Sequence, residues 1–206
     1  MGDDGQSYRV RVGSQEVDLP LVRVAPETLI ALLISVDHGV AFAEKAGSEL
    51  AELIAPFEVD VVASVATMGI PLAIEVTRSL GLDDYVILHK TPKVHLADAV
   101  TEPVRSITTA ADQRLLFDRA RLSAVRSRRI AVVDDVISTG GSSRAALRLI
   151  RRVGGDPVVF GALLTEGWQW RATLGEDAAR VRSLGEIPLF REHADGSIEE
   201  QWGPPS

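Results

Sequence analysis

The chain has 206 residues, 46% of them apolar, which is enough material for one domain with a core and excludes wholesale disorder. Its net charge of −7, from 22 basic and 29 acidic residues, argues against a protein whose main work is binding nucleic-acid backbone. Cysteine is absent, which excludes disulfides and thiolate metal sites. The longest apolar stretch, "LIALLISV", is too short to cross a bilayer, and the acidic "MGDDGQSYRV" start does not read as a signal peptide, so a soluble, cytoplasmic protein is expected.

Taken in chain order, "YRVRV" and "QEVDL" alternate around Gly13-Ser14 as a hairpin would. Pro26 is placed to open a helix running to Val36, and "VAFAEKAGSELAELIA" has helical spacing up to Pro56. "EVDVVASVA" reads as a strand, "TMGIP" as a turn, "PLAIEVTRSLG" as a helix stopped by Gly81, and "YVILH" as a strand. Residues from Lys90 to about Ala111 show no clear period apart from a candidate strand in "PVRSITT". "RRIAVVDD" is a strand with acids at its carboxyl end, "SSRAALRLIRRVGG" a helix with a glycine C-cap pair, and "PVVFGALLT" a buried-type strand.

Strands alternating with helices predict an α/β fold with a mainly parallel sheet covered on both faces. Ligands of such sheets bind beyond the carboxyl ends of the strands. Three polar turns fall there: "SVATMG", "HKTPK" and "DDVISTGG". In the last, Asp134 and Asp135 precede Ser138, Thr139, Gly140, Gly141 and Ser142 at the start of a helix. Backbone N–H groups at a helix start, approached closely over glycine, suit an anion. The acids suit sugar hydroxyls or the hydration shell of Mg²⁺. The loop lacks the P-loop lysine and the G-x-G-x-x-G spacing. The four histidines show no H-x-x-x-H pairing, so no zinc site is expected.

"AVVDDVISTGGSS" resembles the phosphoribosyl-diphosphate (PRPP) motif of the type I phosphoribosyltransferases, and the likeness extends more loosely from about Val59 to Glu166. The resemblance implies one domain over 1–206, with 57–165 as core and 1–56 and about 166–206 supplying a small hood and flanking elements. It implies that Asp134 and Asp135 bind the ribose hydroxyls and that Ser138 to Ser142 hold the 5′-phosphate. Thr67, Met68 and Gly69 match the loop that takes the diphosphate. Lys90 and Lys93 match the basic group that neutralises it, with His89 where adenine enzymes often carry arginine. Catalysis would rest on Lys90, Asp134 and Asp135. Mg²⁺ would be held mainly through PRPP and water, with no metal site made by the protein alone. Val136, Ile137 and Trp168 would contact the base, the hood would read it from Leu21 to Glu27, and a homodimer is expected. The tract after Lys93 matches a mobile lid, with Glu102 in the place of a loop glutamate that exchanges a proton with the purine.

Hypoxanthine-guanine enzymes carry an Asp where Ser138 stands, and xanthine enzymes a lysine soon after the later strand's glutamate, where this chain has Gly167. The "K-x-x-K" spacing looks most like adenine enzymes. Adenine is therefore the expected acceptor, with xanthine or another base next. A PRPP-binding regulator without turnover, or an orotate- or competence-type relative, is the alternative from another class.

Overall fold

The structure is a computed structural model, described here for residues 6–94, 98–104 and 113–204. Strands β1 (Ser7–Val12) and β2 (Gln15–Ala25) form the expected hairpin, with Val12 opposite Gln15. The next segment departs from expectation. Instead of a helix opening at Pro26, Thr28–Ala31 is a strand, β3, antiparallel to β2. Leu29 and Ala31 are buried while Thr28 and Ile30 are half-buried. That period of two is too short to be legible beside the apolar run that follows it.

Helix α1 (Gly39–Ile54) leads to β4 (Val61–Val65), α2 (Gly69–Ser79) and β5 (Tyr85–Leu88), close to the predicted positions. The stretch without a clear period contributes β6 (Val100–Pro103), which pairs with β7 (Arg114–Phe117) as an antiparallel ribbon. Only the first residues of the strand expected in "PVRSITT" are described, and residues 105–112 lie outside the described set. The four-residue α3 (Leu122–Val125) precedes β8 (Arg129–Ile137), α4 (Gly141–Arg152) and β9 (Asp156–Glu166). Helix α5 (Gln169–Leu174) and strands β10 (Val181–Ile187), β11 (Leu189–Glu192) and β12 (Ile198–Gln201) complete the chain.

Five strands form a parallel sheet in the order β10-β9-β8-β4-β5. Side chains alternate across it. Val62, Ala131 and Val133 pack with Leu50 and Ile54 of α1 and Leu72 and Val76 of α2. Val61, Ala63, Ile130 and Val132 pack on the other face with Leu147 and Ile150 of α4 and with Phe117 of the ribbon. Burial on both faces explains why these strands read as unbroken apolar runs. The second sheet is antiparallel, in the order β1-β2-β3-β11-β12, and forms the hood. Its Val12, Leu19, Leu29 and Phe190 belong to the same buried cluster as Leu50, Ile54 and Val133, so hood and parallel sheet share one core.

Two irregularities in the ladder around β8 matter for the site. At its start Ile130 lies opposite Pro157 but Ala131 lies opposite Val159, so β9 carries one extra residue there. At its far end β8 pairs with β4 only as far as Ser64–Val133, whereas pairing with β9 continues to Ile137–Thr165. Asp134 and Asp135 are thus inside β8 rather than past its end, on an edge that β4 has left.

Candidate active site

A cleft of about 280 Å³ opens where β4 turns away from β8. Asp134, Asp135 and Val136 line it, together with Thr67 and Met68 of the turn into α2, Lys90 beyond β5, and the loop Ser138 to Ser142 with Ser143 behind it. Three turns separated by tens of residues therefore meet at one place, as the topology of a parallel sheet requires.

The acids sit side by side, and the Asp135 N–H donates to Asp134 Oδ1 over 3.1 Å. Burial, then the neighbouring Asp135 charge, pushes the Asp134 carboxyl well above the usual range, while Lys90 pulls it back down. Gly69 explains how α2 comes so close: a Cβ there would stand 2.2 Å from Ser64 Oγ and 2.9 Å from Asp134 Oδ1. Gly69 supports the cleft from behind without lining it. The Ala66–Thr67 peptide in the same turn is cis, and Thr67 and Met68 are exposed on the cleft side.

The loop before α4 is shaped by Gly140, at φ 79°, where a Cβ would meet Trp170 and Thr173 at 3.1 Å. No side chain caps the helix that follows, so its first N–H groups face the cleft unclaimed by a cap. With the α4 dipole and the Thr139 and Ser142 hydroxyls, this end of the cleft has the chemistry to suit an anion.

Ser138 lines the cleft, but its hydroxyl donates to Glu166 Oε2 rather than being free for an anion. Glu166 ends β9 and is only 4% exposed. Burial pushes its carboxyl upward, and the Ser138 bond offsets this only in part. Sequence reasoning assigned Ser138 to the phosphate and gave Glu166 no role. The available signal was an acid closing an apolar strand. Ser64 is a second omission: its buried hydroxyl makes no hydrogen bond among the described residues, and a polar residue inside "VVASVA" was its trace.

Other expected contacts are redistributed. Ile137 is 1% exposed and packs in the core with Leu147, Phe160 and Trp170, so its side chain is not offered to a base. Trp168 is half-buried and does not line the cleft, while its neighbour Trp170 is buried against Gly140. Lys93 is exposed and also outside the cleft lining. Glu102 lies in β6 and pairs with Arg152, at the end of α4 about 16 Å along the helix from Gly141. Its carboxylate ties the ribbon to the end of α4 and does not line the cleft. In the hood segment, Arg23 pairs with Glu192 and Glu27 with Arg191. The lid expected after Lys93 lies partly outside the described residues.

Among the described residues no three His, Asp or Glu side chains stand together as a metal site, and no helix is long and apolar enough to cross a membrane.

Comparison with known proteins adds the family. The chain is similar to the xanthine phosphoribosyltransferase of Brevibacillus brevis, 27% identical over 76% of this chain and 80% of that protein. It is similar to the adenine phosphoribosyltransferase of Thermobifida fusca, 34% identical over 58% of this chain and 64% of that protein. The fold matches the crystal structure of adenine phosphoribosyltransferase from Thermoanaerobacter pseudethanolicus with a TM-score of 0.67, at 18% identity, over 82% of this chain and 95% of that one. The phosphoribosyl transferase domain model matches residues 37–177, which contain the acids, the loop, Lys90 and the turn at Thr67. More than half of the sequence, and every element that builds the cleft, thus falls within one family: the chain is a member of the phosphoribosyl transferase domain family.

Proposed function

We propose that the chain transfers 5-phosphoribose from PRPP to a purine base, releasing diphosphate. The observation that carries the reading is the convergence of Asp134, Asp135, the α4 N-terminus, the Thr67–Met68 turn and Lys90 on one cleft. The uncapped helix start takes the 5′-phosphate. Asp134 and Asp135 accept hydrogen bonds from the ribose hydroxyls. Lys90 and the N–H groups of the turn face the diphosphate, where negative charge grows as the anomeric bond breaks. Holding both substrates in place replaces a bimolecular encounter with an attack inside the complex. Mg²⁺, when bound, supplies further neutralisation of the diphosphate. The Asp135 carboxylate in the cleft and the diphosphate oxygens are hard oxygen donors that suit this ion, which keeps several waters as further ligands.

Adenine is the proposed acceptor, supported by Gly167 in place of a lysine and by the Lys90–Lys93 spacing. The carboxyl of Glu166 behind Ser138 favours a second reading, a 6-oxopurine, because it supplies the acid that Ser138 alone lacks. The test is diphosphate release from PRPP and Mg²⁺ with adenine, hypoxanthine, guanine, xanthine and orotate in turn. Turnover with adenine alone supports the first reading and turnover with 6-oxopurines alone the second. Release with orotate only, or with none of the five, defeats both.

A further inference from the structure

The sheet order puts the two sides of the cleft to different uses. β8 carries the acids at the centre, while the Thr67–Met68 turn and Lys90 stand on the β4–β5 flank. The Ser138–Glu166 pair stands on the opposite, β9 flank. In a displacement at the anomeric carbon the nucleophile enters opposite the leaving group, so a diphosphate on the β4–β5 flank puts the base on the β9 flank. There Gly167, next to Glu166, donates its N–H to Ile187 O, and a Cβ on it would press on Leu189, where the chain passes from the parallel sheet into the hood.

We infer that Ser138 and Glu166 form a two-residue proton relay that removes the proton a purine loses as its ribosyl bond forms. The inference rests on the phosphoribosyl-transfer reading. The purine N9 lone pair forms the bond to the anomeric carbon, and the bond from that carbon to diphosphate breaks, its electron pair leaving with diphosphate. The proton on N7 passes to Ser138 Oγ as the existing Oγ proton passes to Glu166, which ends as a carboxylic acid. Release of that proton to solvent after product departure resets the pair.

Three features fit this role. The Ser138 hydroxyl proton is committed to Glu166, which leaves its oxygen lone pairs as acceptors on a residue that lines the cleft. Ser138 is the one hydrogen-bond partner of the Glu166 carboxyl among the described residues, so the carboxylate is under-solvated and gains by taking a proton. Burial and the Ser138 bond are the influences on its titration. No charged side chain contributes, and the nearby Arg171 guanidinium pairs with Glu186 instead. A base whose affinity for protons is raised toward neutral pH is the more effective one.

The test compares wild type, Glu166→Gln and Ser138→Ala in the full chain, with PRPP, Mg²⁺ and the best purine, across pH 5 to 9. The relay predicts kcat losses of about 10²–10⁴ in each variant. It also predicts loss of the acid limb of the kcat profile in Glu166→Gln, and KM for PRPP within a few-fold of wild type. The double variant Ser138→Asp, Glu166→Gln, which moves the carboxylate to the cleft, should regain part of the lost rate. Single variants with near-wild-type kcat and an unchanged acid limb overturn the relay while wild-type turnover upholds the functional reading. A KM rise for PRPP matching the kcat loss also overturns it, by returning Ser138 to phosphate binding. If wild type releases no diphosphate with any purine, the functional reading falls and the relay with it.

Discussion

At the scale of single residues, Asp134 and Glu166 are held at odds with their surroundings. Both carboxyls are pushed upward chiefly by burial, Asp134 also by the charge of Asp135. A carboxyl raised on folding contributes stability that is fully present below its unfolded value and is lost as pH rises through its folded value. The contribution of these two carboxyls to ligand-free stability should therefore fall as pH rises above the ordinary carboxylate range, about pH 4. Asp134→Asn and Glu166→Gln should each flatten that slope in urea denaturation at pH 5 and pH 8. Slopes matching wild type in both variants would show that neither acid carries the penalty. The same Asp134→Asn change, and Asp135→Asn, should raise KM for PRPP roughly ten- to hundred-fold, since a hydrogen bond to a charged group is worth about 1.5–3 kcal/mol. Greater ligand-free stability with weaker substrate binding is the expected trade at such a position. Unchanged kinetics in both variants would remove the acids from the ribose.

At the scale of elements, the β8–loop–α4 unit and the β1–β2 hairpin of the hood were legible, and the ribbon and the rest of the hood were not. The acids, the Gly140–Gly141 pair and the amphipathic α4 are contiguous in sequence and each has a local signature. β3, β6 and β11 are four residues each, too short to show a period, and β3 and β11 pair with each other from opposite ends of the chain. Glu102 shows the cost of reading a loop by position, because its pairing with Arg152 depends on a ribbon that no local pattern announces. Glu166 was missed for a related reason: its partner lies 28 residues earlier and is reached only through the β8–β9 ladder. Gly140 yields a direct test. Gly140→Ala imposes a left-handed backbone on a residue with a side chain and presses it on Trp170 and Thr173. It should cost about 1–3 kcal/mol and weaken PRPP binding together, by denaturation and by isothermal titration. Wild-type stability would mean that α5 yields without consequence.

For the whole molecule, the shared core predicts that hood and parallel sheet melt as one. Leu19 of β2 is fully buried in the cluster that also holds Leu50 and Val133. Leu19→Ala should destabilise the protein by about 2–5 kcal/mol. Calorimetry should show one transition shifted down by several degrees, not a new low-temperature transition from the hood. Two separated transitions would mean that the hood folds on its own.

The extra residue in β9 near Pro157 lies at the end of the sheet remote from the cleft, yet it decides which side chain stands beside Ser138. If the pairing at the start of β8, Arg129 with Asp156, continued unshifted along the same residues, with no bulge, Thr165 rather than Glu166 would come level with Ser138. A slip that irons out the bulge would thus exchange a carboxyl for a hydroxyl beside Ser138, whereas loss of the codon for Val158 would remove the bulge and leave Glu166 where it is. Insertions and deletions far from a pocket are usually counted as neutral variation in loops. In this ladder the extra residue is slack: losing it would straighten β9 while Glu166 kept its place beside Ser138.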